Sequence, residues 1–341
     1  MSQLTPIPIT SIPGFAFGHY TDLDAGTGCT AIVAPEGAVG GVDVRGAAPA
    51  SRETDLLRPE NTVDRVHAVV LSGGSAFGLE AASGAMCELE ERGVGLDVGV
   101  GKVPIVCSSC LFDLAFGRAD VRPSSMNGIL AVRDALDRVE RNETGFEEGC
   151  VGAGTGATVG KLAGPERCMK AGLGARAFQL GPLMVGAVSA VNAVGNVIDP
   201  ATLRPIAGMR GTADGVDILN MEEAMLAMAD QLAMPLDRTN TTISCIVTNA
   251  TLTKAQATKV AQMAADAYAH TIRPTHTTND GDSIYVLASG SLPADASERI
   301  PLDLIGLVAT RTLEAAIVAG CTEATGLHGI PAHRDLTSDV A

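Results

Sequence analysis

Three observations predict an α/β fold for this chain of 341 residues. A continuous apolar run, Val66-His-Ala-Val-Val-Leu71, passes through the Gly-rich turn Ser72-Gly-Gly-Ser-Ala-Phe-Gly78 into an amphipathic stretch, a strand–turn–helix unit. Strand-like and helix-like segments alternate along the chain with no repeat of fixed period. Apolar residues make up 46% and charged residues 18%, a balance that builds a large core and excludes a disordered chain. The length suggests about two domains and equally permits one large single-core unit.

The elements follow in order. Gly28–Val33 and Ala38–Val44 read as short strands, and a polar loop from Arg45 to Asn61 leads to the buried strand at 66–71. The helix after it spans Leu79 to Arg92 and stops at Gly93. A second helix covers Ser125 to Arg141, because Ile129, Val132, Leu136 and Val139 recur at spacings of three and four. The Gly-rich segment Val151–Lys161 precedes strands at Gly172–Leu180 and Leu183–Asn192. From Gly208 to Asn240 a Met-rich, polar stretch reads as a mobile surface connection. Thr241–Thr248 is β-branched and strand-like, Lys254–Ile272 a long helix, Ser283–Ala288 a strand, and Leu302–Ala319 a closing helix. Beyond Thr322 the polar tail is expected to be loosely held.

Composition narrows the partners. The 39 acidic residues outweigh 24 Lys and Arg, for a net charge of −15, and the basic residues are scattered singly. Nucleic acid and anionic membranes are therefore not expected partners, since neutralising phosphates takes a basic stripe. No stretch reads as a membrane span and the first residues lack the pattern of a signal peptide, so a cytoplasmic location is expected. The eight cysteines lie mostly in apolar context and read as free buried thiols; Cys107-Ser-Ser-Cys110 lacks the second pair that a zinc site needs. With 7 Phe, 3 Tyr and no Trp among 39 Gly, the core must be close-packed Ala, Val, Leu and Ile.

Several motifs fail their chemical requirements. A phosphate loop ending at Gly160-Lys161 would need Gly where Thr155 stands and a hydroxyl where Leu162 stands. The turn around Ser75 has Phe77 where an esterase elbow needs Gly. Both loops read as tight turns. No histidines are spaced for a metal. His67 reads as a core residue, and His276, in Arg273-Pro-Thr-His-Thr-Thr-Asn-Asp-Gly-Asp282, more often as part of a turn than as a base.

At Asn240-Thr241-Thr-Ile a polar connection meets a buried strand that starts with a hydroxyl. This suits a reaction in which the Thr hydroxyl attacks the preceding carbonyl, the acyl group shifts from N to O, and ester hydrolysis frees a new N-terminal Thr. Its α-amine, with a pKa of about 7.7–8.0, would then act as base for its own hydroxyl. On the pattern alone, an ordinary loop-to-strand junction is the commoner reading.

Ordered motifs decide between the two. Ile12-Pro-Gly-Phe, Gly40-Gly-Val-Asp-Val-Arg-Gly46, Arg52-Glu-Thr-Asp-Leu-Leu57, Val70–Leu79, Val151–Lys161 and Asn240-Thr-Thr-Ile together resemble the DmpA-type aminopeptidase and nylon-oligomer hydrolase family, self-cleaving N-terminal-nucleophile amidases, from about residue 8 to 320. The Asn-Thr junction is more similar to the nylon-oligomer branch. Departures from the family pattern fall at Cys107–Cys110 and Thr248-Asn249-Ala250, away from the junction. The resemblance implies a layered sheet-and-helix sandwich, one domain over 1–341, cut at Asn240–Thr241 into chains 1–240 and 241–341. It implies Thr241 as nucleophile, Lys161 as the cation that tunes its amine, Asn192 as an oxyanion donor, and Asp280 and Asp282 as carboxylates that orient the amine or the Lys. No cofactor or metal is implied. The expected partners are a small amide or peptide substrate and further copies of the chain, as a tetramer. Two alternatives stay open: an aminopeptidase that needs a free substrate amine, and a non-catalytic small-ligand or nucleotide-binding protein.

Overall fold

The computed structural model describes residues 4–228 and 240–337. One mixed sheet dominates it, in the order Thr5–Pro6, Leu173–Leu180, Leu183–Ala190, Ile243–Thr248, Ser283–Ala288, Thr27–Val44, Arg65–Ser72, Val106–Cys110 and Ser51–Arg52, with Ala16–Asp22 paired off Thr27–Val44. Ile243–Thr248 runs parallel to Ser283–Ala288, and Arg65–Ser72 parallel to Val106–Cys110; the other pairs are antiparallel. The two strands expected near the N-terminus are one, 18 residues long. Its register against Arg65–Ser72 shifts between Val33 and Ala38, the site of a bulge that bends a strand without ending it.

That bend folds the sheet over on itself. Ile32, Val69, Leu71 and Cys107 from one half share a core with Val188, Cys245, Val247, Tyr285 and Leu287 from the other. Helices cover both outer faces. Glu80–Glu91 and Ser125–Glu140 pack their alanines on Ala31, Val33, Ala68 and Val70. Lys254–Ala264, Asp266–Thr271 and Leu302–Thr322 cover Val185, Ala187, Ile246 and Val286. The layers are thus helix, sheet, sheet, helix, the sandwich expected. Small side chains permit this close stacking, and Tyr268 and Tyr285 are among the largest that are fully buried.

Several expectations are corrected. The helix expected over Lys254–Ile272 breaks at Ala265, and Ile272 starts a two-residue strand. The strand expected from Thr241 begins at Ile243; Thr241 and Thr242 lie outside its ladder. The tail is not loose up to Thr337: Ala324 and Ala332 are buried, the Lys170 amide donates to the Pro331 carbonyl at 2.9 Å, and His333–Thr337 is helical. One helix, Leu302–Thr322, is long and apolar enough to cross a membrane, with a mean hydropathy of 1.6; here its mostly buried length covers the sheet. The end of the connection expected over Gly208–Asn240, at 229–239, lies outside the described residues; before it, Met221–Met228 is a helix.

The reading of His67 as a core residue holds; the cysteines are all free, but Cys87 is exposed and Cys150 half-buried, so only the other six are the buried thiols expected. Burial pushes the Cys107 thiol up to about 12 and raises Cys110 as well, which disfavours the thiolate at both. The Ile105 amide donates to His67 Nδ1 at 3.1 Å, so this buried imidazole is satisfied by backbone.

Candidate active site

The strand Ile243–Thr248 lies inside the sheet, with Ile243, Cys245 and Val247 facing the inter-sheet core and Ile246 facing the helices. Thr241 and Thr242 lead directly into Ile243 at the head of this strand. Asn240, Thr241 and Thr242 are all buried.

Two loops converge on this junction. From the end of Leu183–Ala190 comes Asn192, whose carbonyl accepts the Thr241 amide at 2.9 Å and Lys161 Nζ at 3.1 Å. The amide of the 240–241 bond and the Lys161 amine therefore share one acceptor. Lys161 Nζ also donates to Asn192 Oδ1 at 2.6 Å, where the Thr158 amide donates at 3.1 Å. One N–H of the Asn192 side chain goes to the Phe112 carbonyl at 2.9 Å. The Gly-rich segment explains how Lys161 arrives here. Gly160 has φ +76°, and a Cβ on it would stand 2.1 Å from the backbone of Gly208 and Met209, so only glycine permits that approach.

The second loop is Asn279–Asp282. Gly281 N donates to Thr241 Oγ1 at 3.1 Å, and Thr241 Oγ1 in turn donates to the Asn240 carbonyl. Asp282 and Asp280 flank that amide but do not share a target. Asp282 Oδ1 accepts the Thr242 amide at 2.7 Å, and its Oδ2 lies 2.9 Å from His276 Nδ1. Asp280 Oδ2 accepts the Thr277 amide at 2.6 Å, while its Oδ1 is buried without a hydrogen-bond partner among the described residues. The expectation that both carboxylates orient the Thr amine or the Lys thus separates into two jobs: Asp282 grips the backbone after Thr241, and Asp280 keeps one oxygen uncommitted.

Burial sets the electrostatics. It pushes Lys161 down to about 7, opposed by Cys168, Asp280 and Asp113 and reinforced by Lys170. Burial and the Asp282 charge lift Asp280 to about 6, against the Thr277 hydrogen bonds and Lys161. At neutral pH a poised lysine and an ionised carboxylate therefore flank a buried hydroxyl.

Beside Lys161 opens a cavity of about 200 Å³, walled by Phe112, Ala115, Phe116, Pro165 and Ile330. Asp113 also lines it, but its carboxylate is engaged by Thr27 Oγ1 and the Gly74 amide, each at 2.7 Å. The lining is thus largely apolar. Sequence reasoning missed Phe112, Asp113 and Gly281 N as parts of this site; Asp113 and Gly281 carry no signal beyond their distant partners, whereas His276 had been singled out and set aside as a turn residue.

The model of peptidase family S58 matches residues 8–334. An uncharacterized aminopeptidase of Mycobacterium leprae is 40% identical, with 95% of this chain and 92% of that protein aligned. The 6-aminohexanoate-oligomer endohydrolase of an Agromyces species is 29% identical over 90% of this chain and 84% of its own. Among solved structures, the L-aminopeptidase D-Ala-esterase/amidase of Ochrobactrum anthropi, a variant of the Ntn hydrolase fold, superposes with a TM-score of 0.66 at 19% identity, covering 98% of this chain and 94% of that one.

Proposed function

The chain belongs to peptidase family S58 and is an amide-bond hydrolase, and from that premise we propose that it matures by cutting its own Asn240–Thr241 bond and then works through the freed N-terminal Thr241. The observation that carries this reading is the junction itself: Thr241 Oγ1 lies against the carbonyl it would attack, while the amide it would release and Lys161 Nζ share the Asn192 carbonyl.

In maturation, Oγ1 adds to the Asn240 carbonyl carbon, the C–N bond breaks, and the nitrogen leaves with the hydroxyl proton. Water then hydrolyses the ester, leaving a carboxylate on Asn240 and an amine on Thr241. In turnover the same hydroxyl attacks a substrate amide, its proton passing through the α-amine to the leaving group, and water resolves the threonyl ester. Lys161 holds Asn192 in place and, when charged, disfavours protonation of the amine. We assign Asn192 as the donor to a developing oxyanion, while the Gly281 amide stays on the nucleophile itself. The uncommitted Asp280 oxygen is available to the new amine.

Small peptides or ω-amino-acid oligomers fit the apolar cavity, whose one carboxylate, Asp113, is already engaged. The aminopeptidase reading draws on the name of the Mycobacterium relative. Aminoacyl amides assayed against internally blocked oligomers separate the two: cleavage confined to substrates with a free amine selects the aminopeptidase.

A gel tests maturation. Purified protein is expected to resolve into two fragments, the smaller beginning Thr241-Thr-Ile; one intact band of the full 34.7 kDa after prolonged incubation would overturn the reading. Gly281→Ala is expected to slow the cut roughly 10- to 100-fold, because a misplacement near 1 Å costs rate on that scale. Its Cβ would stand 2.9 Å from both Thr241 Oγ1 and the Ala48 carbonyl. Wild-type cutting in that variant would show that this loop does not set the hydroxyl.

A further inference from the structure

The chain's reactive residue is placed by its neighbour, and the neighbour is gripped at both ends of its peptide units. The Thr242 amide donates to Asp282 Oδ1 at 2.7 Å, and the Thr242 carbonyl accepts from the Tyr268 hydroxyl at 3.1 Å and the Ser283 amide at 3.3 Å. Asp282 and Tyr268 come from different elements, and His276 touches both. Its Nδ1 lies 2.9 Å from Asp282 Oδ2, its own amide donates to that oxygen at 3.2 Å, and its ring stacks on Tyr268 with centroids 5.4 Å apart and planes 20° apart. Thr275 Oγ1 completes the set around Oδ2 at 3.3 Å.

A buried carboxylate needs donors to stay ionised, and Asp282 is buried. With an acceptor opposite Nδ1, the proton of a neutral ring belongs on that nitrogen. Nε2 is buried without a hydrogen-bond partner among the described residues, so the ring is not held for the sake of its far side. His276 also sits at φ +55°, a region most side chains avoid, which turns the ring and the backbone amide onto the same carboxylate oxygen.

We propose that His276 is a positioning residue for amide hydrolysis and for the self-cut: its Nδ1–H fixes Asp282, and Asp282 with Tyr268 clamps the Thr242 peptides so that the hydroxyl of Thr241 stays on the Gly281 amide. This rests on Thr241 being the nucleophile. His276 itself touches neither substrate nor the reacting atoms.

The test compares two variants of the full chain that both tolerate a positive φ. His276→Asn keeps a side-chain donor; His276→Gly removes it. Cutting rate, melting temperature, and kcat and KM per mature chain are measured. His276→Gly is expected to lose about 30- to 100-fold in cutting and in kcat with KM within about twofold, the size of effect a misplaced nucleophile produces. His276→Asn is expected to stay within about threefold of wild type. Wild-type kcat in the Gly variant overturns the proposal, as does an Asn variant that falls equally far, since ring stacking would then be what matters. Should the Gly chain not fold, Tyr268→Phe takes its place: it removes the other donor of the clamp, and wild-type kcat there is equally fatal. Thr241→Ala is run alongside. Activity in that variant would defeat the nucleophile reading whatever His276 does, whereas an inactive Thr241→Ala beside a fully active His276→Gly defeats only the clamp.

Discussion

Thr241→Ala is expected to leave the chain uncut at 341 residues and to lower amide hydrolysis by at least about 10³-fold, as removal of a catalytic nucleophile does. Both effects would have one cause, since on the proposed reading a single oxygen is the attacking atom in the self-cut and in turnover. The variant should fold as the wild type does. Among the described residues Thr241 Oγ1 bonds to the Asn240 carbonyl and the Gly281 amide, both on the loops that carry the chemistry, and losing a hydrogen bond of that kind changes stability by about 1 kcal/mol. Thr241→Ser, which keeps the hydroxyl and drops the methyl, should still be cut and active. An active Ala variant, read by fragment pattern and by steady-state rate, would remove Thr241 from the mechanism.

Lys161→Met keeps the length of the side chain and removes its charge and its donors. The bonds to the Asn192 carbonyl and to Asn192 Oδ1 disappear, while the Thr158 amide still donates to Oδ1. We expect cutting and kcat to fall about 10²- to 10³-fold, the range found when one preorganised polar group is taken from a transition state. The pH profile gives a second readout. Lys161, pushed down to about 7 by burial, is charged below that pH and neutral above it. A positive charge near the Thr241 amine disfavours its protonation, so wild-type kcat/KM should rise with pH on a limb lying below the ordinary range of an α-amine, about 7.7–8.0. Without Lys161 the limb should move upward into that range. Asp280, lifted to about 6 by burial and by Asp282, takes up its proton on the acid side of the same limb. A limb that stays put in Lys161→Met would deny the lysine its electrostatic part and leave it the orientation of Asn192.

Where local patterning decides structure, it was readable. The strand Ser283–Ala288, buried on both faces, and the helix from Ser125 stand where they are expected, the helix because its three-four spacing buries one regular face. Packing decides the rest. The break at Ala265 interrupts Ala264-Ala265-Asp266, where no Pro or Gly announces it, and beyond it Tyr268 reaches the Thr242 carbonyl. The tail looked loose because its polar residues outnumber the two alanines that anchor it. At the site, resemblance singled out Thr241, Lys161, Asn192, Asp280 and Asp282, and the structure brings all five together. It could not say that Asp282 faces Thr242 or that Asp113 is already satisfied, since those contacts join positions 40 and 86 residues apart.

That bent sheet would bear on the life of the molecule after the proposed cut. Ile243–Thr248 and Ser283–Ala288 would both belong to the smaller fragment, yet they lie side by side in the middle of the sheet, laddered on one side to Leu183–Ala190 and on the other to Thr27–Val44 of the larger. Neither fragment closes a sheet without the other. Once the bond is gone, the fragments must meet by diffusion to refold, whereas the precursor's halves are tethered at an effective concentration set by the chain. Synthesis as a single polypeptide would thus be an assembly aid used once, and the mature enzyme would persist through slow unfolding more than through its ability to fold again.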